Sequence, residues 1–307
     1  MDNPSSALKF LFSDHQRRFR NNIHVYPVIS RRSGGLSVGI NMNPDKGCNF
    51  DCIYCQVDRT PEGMAHIQKI HQKVDPDRVI AELSHLIDLV ETNQFFSVPP
   101  FDQTPMAQRI LTDVSFSGDG EPTMVPEFPE VLEKVLAFFQ KRTHEVTIRI
   151  ITNGTGLFKA STRRKVLDLF KQKNTLESER IPWSIWFKID AADAESFAFL
   201  DRSGLRFPSY WKQVEETLQE TPVTIQTMVM DYISPTVSFH PEGDWSKHMQ
   251  QAMGKLVAGG AKISRWDLYS VARMPPSPEV RPVSYERLLA LSKFFNESIP
   301  LPIHIFP

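Results

Sequence analysis

Every cysteine of the chain lies within residues 47–56, where Cys48, Cys52 and Cys55 follow C-x3-C-x2-C spacing. A disulfide framework does not suit this pattern, because no further cysteine is available elsewhere. Three thiols on one short loop can instead converge on a centre larger than a single sulfur pair. A [4Fe–4S] cluster usually takes four thiolates, so a site that offers three leaves one iron open to a small molecule. The spacing therefore predicts a cluster with an open iron.

Two other interpretations of the cysteines remain open at this point. Cys52 and Cys55 are followed by His66 and His71, which approaches the spacing of a zinc site with two cysteines and two histidines. That site would leave Cys48 unused and would need a shorter gap than usual between the pairs. The thiols could also be ordinary buried side chains, but their concentration in one loop argues against this. The cluster is the favoured interpretation.

The overall charge of the chain argues against a general attraction to nucleic acid or anionic lipid. Among 307 residues, 35 Lys and Arg balance 36 Asp and Glu, for a formal net charge of −1. One N-terminal segment is locally basic, and it contains Arg17, Arg18, Arg20, Arg31 and Arg32. A solvated face is the favoured interpretation of this segment, over a phosphate-binding strip.

The sequence predicts a cytoplasmic protein without a membrane partner. No stretch approaches the roughly 18 apolar residues of a membrane span, and the N-terminal segment 1–10 lacks the apolar core of a secretion signal. A reducing compartment also agrees with three thiols reserved for a metal centre.

Apolar periodicity predicts an α/β fold in which six strands are each followed by helical sequence. The predicted strands are 36–43, 114–117, 146–151, 183–189, 223–230 and 263–271, and the predicted helices are 76–91, 126–139, 161–171, 195–200, 210–218, 244–257 and 285–295. Residues 1–35 form an N-terminal extension, with a helix at 7–19 and an extended segment at 24–30, and residues 36–307 form the core. Such alternation favours a parallel sheet with right-handed crossovers. Periodicity alone does not separate an open sheet from a partial barrel, but both place the site at the carboxyl ends of the strands.

Polar residues collect where the predicted strands end, and these are the candidates for cofactor binding. They are Ser117, Gly118, Asp119, Gly120 and Glu121 after the second strand, Asn153 after the third, and Lys188 and Asp190 at the end of the fourth. Weaker candidates are Gln226, Thr227, Tyr269, Ser270 and Arg273. The glycine run could be a plain turn, and two residues spaced like Lys188 and Asp190 point the same way along a strand and could form a mutual ion pair.

With an aromatic residue, Tyr54, just before the last cysteine, the motif resembles that of the radical S-adenosylmethionine (SAM) superfamily. The resemblance implies a parallel (β/α)6 partial TIM barrel and a C-terminal helix. It also implies that the amino and carboxylate groups of SAM chelate the open iron and that Tyr54 lies in the cofactor site. Reductive cleavage of SAM then gives a 5′-deoxyadenosyl radical that abstracts hydrogen from a substrate. A reductant of the flavodoxin or ferredoxin type is implied as a partner.

The glycine run 117–121 resembles the glycine-rich motif that receives the SAM amine in this superfamily. Asp119 is inserted between the two glycines, so the sequence leaves open whether Asp119 or Glu121 meets the amine. The runs 117–123, 152–154, 188–190 and 269–273 further resemble the branch that includes wyosine-type tRNA-modifying enzymes. That resemblance covers residues 34–284. It hints at tRNA, whereas the near-zero net charge slightly favours a small molecule or a peptide as substrate. The catalytic residues that act on the substrate are not identified.

Overall fold

The structure is a computed structural model that describes residues 17, 19–30, 32–65, 73–142, 146–172, 181–272, 275 and 277–307. By its internal contacts the chain divides into two compact units. The first unit comprises Met1–Gly47, Ala65–Ile151 and Ala160–Ser184, and the second comprises Cys48–Met64, Thr152–Lys159 and Ile185–Pro307.

In chain order the strands and α-helices are β1 Val25–Ser30, β2 Gly35–Ile40, α1 Pro61–Ala65, α2 Pro76–Glu91, β3 Leu111–Phe116, α3 Phe128–Gln140, β4 Thr147–Thr152, α4 Ala160–Gln172, β5 Trp183–Lys188, α5 Ala194–Leu200, α6 Phe207–Glu220, β6 Val223–Met228, β7 Met230–Ile233, β8 Ser238–Phe239, α7 Asp244–Ala258, β9 Ile263–Tyr269, β10 Val280–Pro282, α8 Tyr285–Asn296 and β11 Ile303–Phe306. The predicted alternation of strands and helices is confirmed, with shifts of a few residues at the ends. The predicted N-terminal helix 7–19 lies almost wholly outside the described residues.

The strands of the first unit follow the order β1-β2-β3-β4, and β2, β3 and β4 are parallel. The extended segment predicted at 24–30 is β1, which pairs antiparallel with β2. In that pair Gly39 lies opposite Tyr26, and a Cβ on Gly39 would lie 2.2 Å from the tyrosine ring. Glycine is therefore required there, since the ring covers the strand directly.

Helix α2 shows how local sequence sets a boundary in the first unit. Asp75 caps the helix by accepting hydrogen bonds from the Asp77 and Arg78 amides, and Pro76 occupies the first turn, so α2 begins at the residue where the predicted helix 76–91 begins. The face of α2 that carries Val79 and Leu83 is fully buried. The cap and the apolar stripe together fix where α2 begins and which side faces the core.

In the second unit the strands β5, β6, β9 and β11 lie side by side and are parallel. Strand β11 was not predicted, and it extends this sheet by pairing with β9 from Ile303↔Trp266 to Phe306↔Tyr269. On the helical side of the sheet, the Trp266 ring packs on Phe295 of α8 with ring centroids 4.5 Å apart. The C-terminal helix and strand thus complete the packing of this unit.

The single strand predicted at 223–230 is wrong at its carboxyl end. Strand β6 ends at Met228, and β7 from Met230 onward joins a separate three-stranded sheet of order β10-β7-β8. The amide of Met228, the last residue of β6, donates to the Asp190 carboxylate at 2.7 Å, so at this end of the strand a side chain takes the place of a backbone partner from β5. Among the described helices, none has the length and apolar character required to cross a bilayer.

Candidate active site

The cysteine loop of the second unit is anchored on the end of helix α5. The Asp51 amide donates to the Asp201 carbonyl at 3.1 Å, and the Ile53 amide donates to the Leu200 carbonyl at 2.9 Å. Carbonyls at a helix end lack intrahelical partners, so these bonds satisfy both the helix and the loop. The Phe50 ring adds apolar contacts to Phe197 and Tyr210, at centroid distances of 5.7 and 5.9 Å.

None of the three thiols is in a disulfide; Cys48 is exposed, and Cys52 and Cys55 are partly exposed. Arg59 donates to the Cys55 sulfur at 3.2 Å, and the Cys52 sulfur lies 3.7 Å from an Asp201 carboxylate oxygen. Although the residue is partly exposed, desolvation of its thiol raises the pKa of Cys52 well above its usual value, with a smaller opposing influence from the Lys188 charge. A bound metal would offset this by stabilising the thiolate.

The described residues contain no group of three or more His, Cys, Asp and Glu side chains already arranged around one metal position. His66 and His71 of the zinc interpretation lie outside the described residues. The donor set still fits an iron–sulfur cluster, because it consists of three soft thiols on one loop whose backbone is anchored.

Tyr54 joins Lys188 and Asp190 in one buried network. The Tyr54 hydroxyl donates to the Asp190 carboxylate and accepts from the Lys188 ammonium. The Lys188 nitrogen also lies 3.1 Å from the Asp190 carboxylate and 4.5 Å from the centre of the Tyr54 ring. Burial opposes the charge of Lys188, but the negative groups around it, of which Asp190 contributes most, together outweigh burial and hold the lysine pKa well above its usual value. The ion pair left open by the sequence is therefore formed.

Asn153 lies against the cysteine loop of the same unit. Its side-chain amide donates to the Asn49 side-chain oxygen at 3.0 Å, while its own oxygen accepts from the Thr155 amide at 3.0 Å. Asn49 directly follows Cys48, so this contact connects Asn153 to the loop that carries the thiols. Asn153 thereby positions the loop.

The glycine run lies in the first unit, and both of its carboxylates contact protein groups. Asp119 accepts from Arg17 and, at 2.7 Å, from the Asn41 side-chain amide. Glu121 is buried and accepts from the Thr123 amide at 3.0 Å, capping a short 3-10 helix. The negative charge of Asp119 is thus compensated directly by an arginine.

The two glycines of the run permit close approach of the backbone to neighbouring residues. A Cβ on Gly120 would lie 1.8 Å from the Gly47 carbonyl oxygen, and a Cβ on Gly118 would lie 2.5 Å from the Asn41 side chain. Gly118 also has φ of +153°, which other residues rarely adopt. Ser117 completes this region through a 3.1 Å hydrogen bond between its hydroxyl and that of Tyr26.

Several residues of these regions were missed by sequence reasoning. Asn41 follows β2, so the rule that polar residues matter at strand ends could have found it. Asp201 and Arg59 carried no comparable signal, because their contacts to Cys52 and Cys55 depend on the folded loop. Of the weaker candidates, Ser270 is bonded within the second unit and accepts from the Val283 amide at 2.7 Å. Arg273 lies outside the described residues.

Comparison with known proteins agrees with this arrangement of fold and motif. The family model of the radical SAM superfamily matches residues 42–220, which include the cysteine loop, the glycine run and both ends of the Lys188–Asp190 pair. The chain belongs to the radical SAM superfamily and is an enzyme of SAM-dependent radical chemistry. Its fold is the mostly parallel α/β partial TIM barrel of that superfamily, as the resemblance implied.

Individual proteins that resemble this chain share a quarter or less of its residues. A UPF0026 protein of Helicobacter pylori is 24% identical over 276 residues, covering 88% of this chain and 72% of that protein. The structure of TYW1 with a lysine-pyruvate adduct bound has a TM-score of 0.57 at 15% identity and covers 97% of this chain and 90% of that one. SuiB of Streptococcus suis bound to SAM has a TM-score of 0.50 at 12% identity and covers 90% of this chain and 52% of that one. The two solved structures show a shared fold.

Proposed function

We propose that this enzyme holds a [4Fe–4S] cluster through Cys48, Cys52 and Cys55 and uses it to cleave SAM reductively. When bound, the cluster supplies the electron that breaks a carbon–sulfur bond of SAM, giving methionine and a 5′-deoxyadenosyl radical that abstracts hydrogen from the substrate. A flavodoxin or ferredoxin in the cytoplasm would replace that electron. The observation that carries this proposal is the single anchored loop with three thiols in a chain of this superfamily.

The chain's own residues would hold the loop and receive SAM. The Tyr54 hydroxyl connects the motif to Lys188 and Asp190, and Asn153 holds the loop by donating to Asn49. We assign the SAM amine to Glu121, because Arg17 already compensates the charge of Asp119. A carboxylate complements an ammonium group through a charge-assisted hydrogen bond.

The experiment is anaerobic reconstitution followed by measurement of 5′-deoxyadenosine under a strong reductant. The reconstituted protein should contain iron and sulfide and should convert SAM to methionine and 5′-deoxyadenosine. Cys48→Ala, Cys52→Ala and Cys55→Ala should each reduce this activity to the level without enzyme, because two thiolates hold a cluster poorly. His66→Ala and His71→Ala are the controls, and both should retain iron and activity.

Two results would contradict the proposal. One is a reconstituted wild-type protein that binds iron and sulfide but releases no 5′-deoxyadenosine. The other is a protein that holds one zinc without iron, loses it in the histidine variants and keeps it in Cys48→Ala. The second result would support a zinc-stabilised protein without radical chemistry.

A further inference from the structure

The sheet of the second unit has two chemically different faces. Phe187, Ile225 and Trp266 lie on the face covered by helices, and all three are buried. Side chains alternate between the faces of a strand, so the residues that follow these three lie on the opposite face. Two faces of such different character indicate that the second one serves something other than helix packing.

Three polar residues stand in one row across that opposite face. Lys188 of β5 is the register partner of Gln226 of β6, and Gln226 is the register partner of Asp267 of β9. Register partners in a parallel sheet are near neighbours on the same face. A cation, a carboxamide and a carboxylate therefore lie side by side, with the carboxamide in the middle.

The outer members of the row are already paired. Lys188 donates to Tyr54 and lies 3.1 Å from Asp190. Asp267 is fully buried and accepts two hydrogen bonds from Arg265, at 2.6 and 2.9 Å. Each charge in this part of the sheet thus has an opposite charge in contact with it.

The Gln226 side-chain nitrogen has no hydrogen-bond partner among the described residues, although the residue is only 1% exposed. Folding normally satisfies a buried N–H, since an unpaired one forfeits the hydrogen bonds it made to water. A donor kept in this state at the centre of a polar row is suited to an acceptor that arrives with a ligand. Because the neighbouring charges are balanced, the row has no net charge with which to bind an anion.

We propose that Gln226 determines specificity by donating a hydrogen bond to an uncharged carbonyl oxygen of the substrate, such as that of an amide or a lactam. SAM carries a carboxylate but no uncharged carbonyl, so this group belongs to a second molecule. The inference rests on the proposed function only in requiring that such a second molecule exists.

The test measures binding of N-methylacetamide to the anaerobically reconstituted protein by saturation-transfer NMR, with acetate as the charged comparison. The wild-type protein should bind N-methylacetamide in preference to acetate. Gln226→Met should weaken binding of N-methylacetamide by about five-fold, the factor that one hydrogen bond commonly contributes. Gln250→Met is the matched control, because Gln250 donates to the Phe294 carbonyl at 2.6 Å, and it should leave the affinity unchanged.

Thermal unfolding gives a second readout that does not depend on a ligand. Gln226→Met removes no side-chain hydrogen bond to the part of the chain that the structure describes, so it should leave the melting temperature unchanged or raise it. Gln250→Met should lower the melting temperature. If Gln226→Met lowers the melting temperature as much as Gln250→Met does, the Gln226 carboxamide has a structural partner. This result would overturn the proposal.

Three binding results would also overturn the proposal. They are equal binding of N-methylacetamide by wild type and Gln226→Met, stronger binding of acetate than of N-methylacetamide by wild type, and displacement of N-methylacetamide by adenosine. The last would mean that Gln226 meets the nucleoside part of SAM. The binding assay contains no reductant, so its outcome is independent of whether the enzyme cleaves SAM.

Discussion

Asp190 is the residue on which several parts of the second unit converge. Its carboxylate accepts from the Tyr54 hydroxyl and from the Met228 amide and pairs with Lys188. Its carbonyl accepts from the Trp245 indole at 2.9 Å. The Asp190 side chain, which follows β5, therefore connects the cysteine motif to the end of β6. We expect its replacement to lower the stability of the folded protein.

Asp190→Asn should lower the free energy of unfolding by about 3–5 kcal/mol, because it leaves the Lys188 ammonium buried without its counter-charge. The double variant Lys188→Met, Asp190→Asn should cost less than the sum of the two single changes. Urea unfolding of the four proteins measures this coupling. Lys247→Met, which breaks the exposed pair with Asp244, is the control and should have no measurable effect. Strict additivity of the Lys188 and Asp190 changes would contradict a coupled pair.

At the scale of elements, helix α2 fixes the start of strand β1 through one carboxylate. Glu82 of α2 accepts from the amides of Ile23, His24 and Val25, at distances of 2.8–3.2 Å. Arg78 donates to the same carboxylate at 2.9 Å. Burial raises the pKa of Glu82, but these hydrogen bonds outweigh it, and the net effect is a lowered pKa. Strand β1 thus depends on the ionised form of Glu82.

Glu82→Gln should destabilise the protein by about 2–3 kcal/mol at neutral pH, since a neutral amide oxygen accepts more weakly than a carboxylate. A lowered folded-state pKa contributes stability that is present above the ordinary glutamate value of about 4.3 and is lost as pH falls through the folded value. Urea unfolding measured from pH 7 to pH 3 should therefore show that the free energy of unfolding falls less steeply with pH in Glu82→Gln than in wild type. Glu91→Gln, at the exposed end of α2, is the control. Parallel pH curves for Glu82→Gln and wild type would contradict the assignment.

At the scale of the whole molecule, charge bears on the class of substrate. The net charge of the chain is −1. In the basic N-terminal segment, Arg17 and Arg20 both make intramolecular contacts. Arg17 donates to Asp119, and the Arg20 guanidinium lies 5.2 Å from the centre of the Phe19 ring. These contacts favour the interpretation of a folded surface over that of a strip reserved for phosphates.

We therefore expect weak tRNA binding with a shallow salt dependence. A plot of log affinity against log salt should have a slope shallower than about −2, the value for roughly two phosphate contacts. Arg20→Glu should leave that slope unchanged; Arg17 is unsuitable for the test because its reversal would also disturb Asp119. Electrophoretic mobility shifts over a salt series measure this. A steep wild-type slope that Arg20→Glu flattens would indicate an RNA substrate and would contradict the preference for a small molecule or a peptide.

Sequence alone determined the features that depend on neighbours along the chain. The cap and apolar stripe of α2, the alternation of strands and helices and the spacing of the three cysteines all act within a few residues, so pattern is sufficient to find them. The same patterns placed Lys188 and Asp190 on one side of a strand and left the choice between ligand and ion pair open.

Tertiary structure alone decided which distant residues meet. Asn41 and Asp119 are 78 positions apart, and Tyr54 and Lys188 are 134 apart, yet each pair is hydrogen-bonded. No local propensity encodes such contacts, because they depend on strand register and on which faces the helices cover. That the Gln226 side-chain nitrogen has no hydrogen-bond partner among the described residues can be seen only in the folded structure. Strand β11 is likewise a product of its pairing with β9, since four residues carry too little periodicity to be distinguished from a loop.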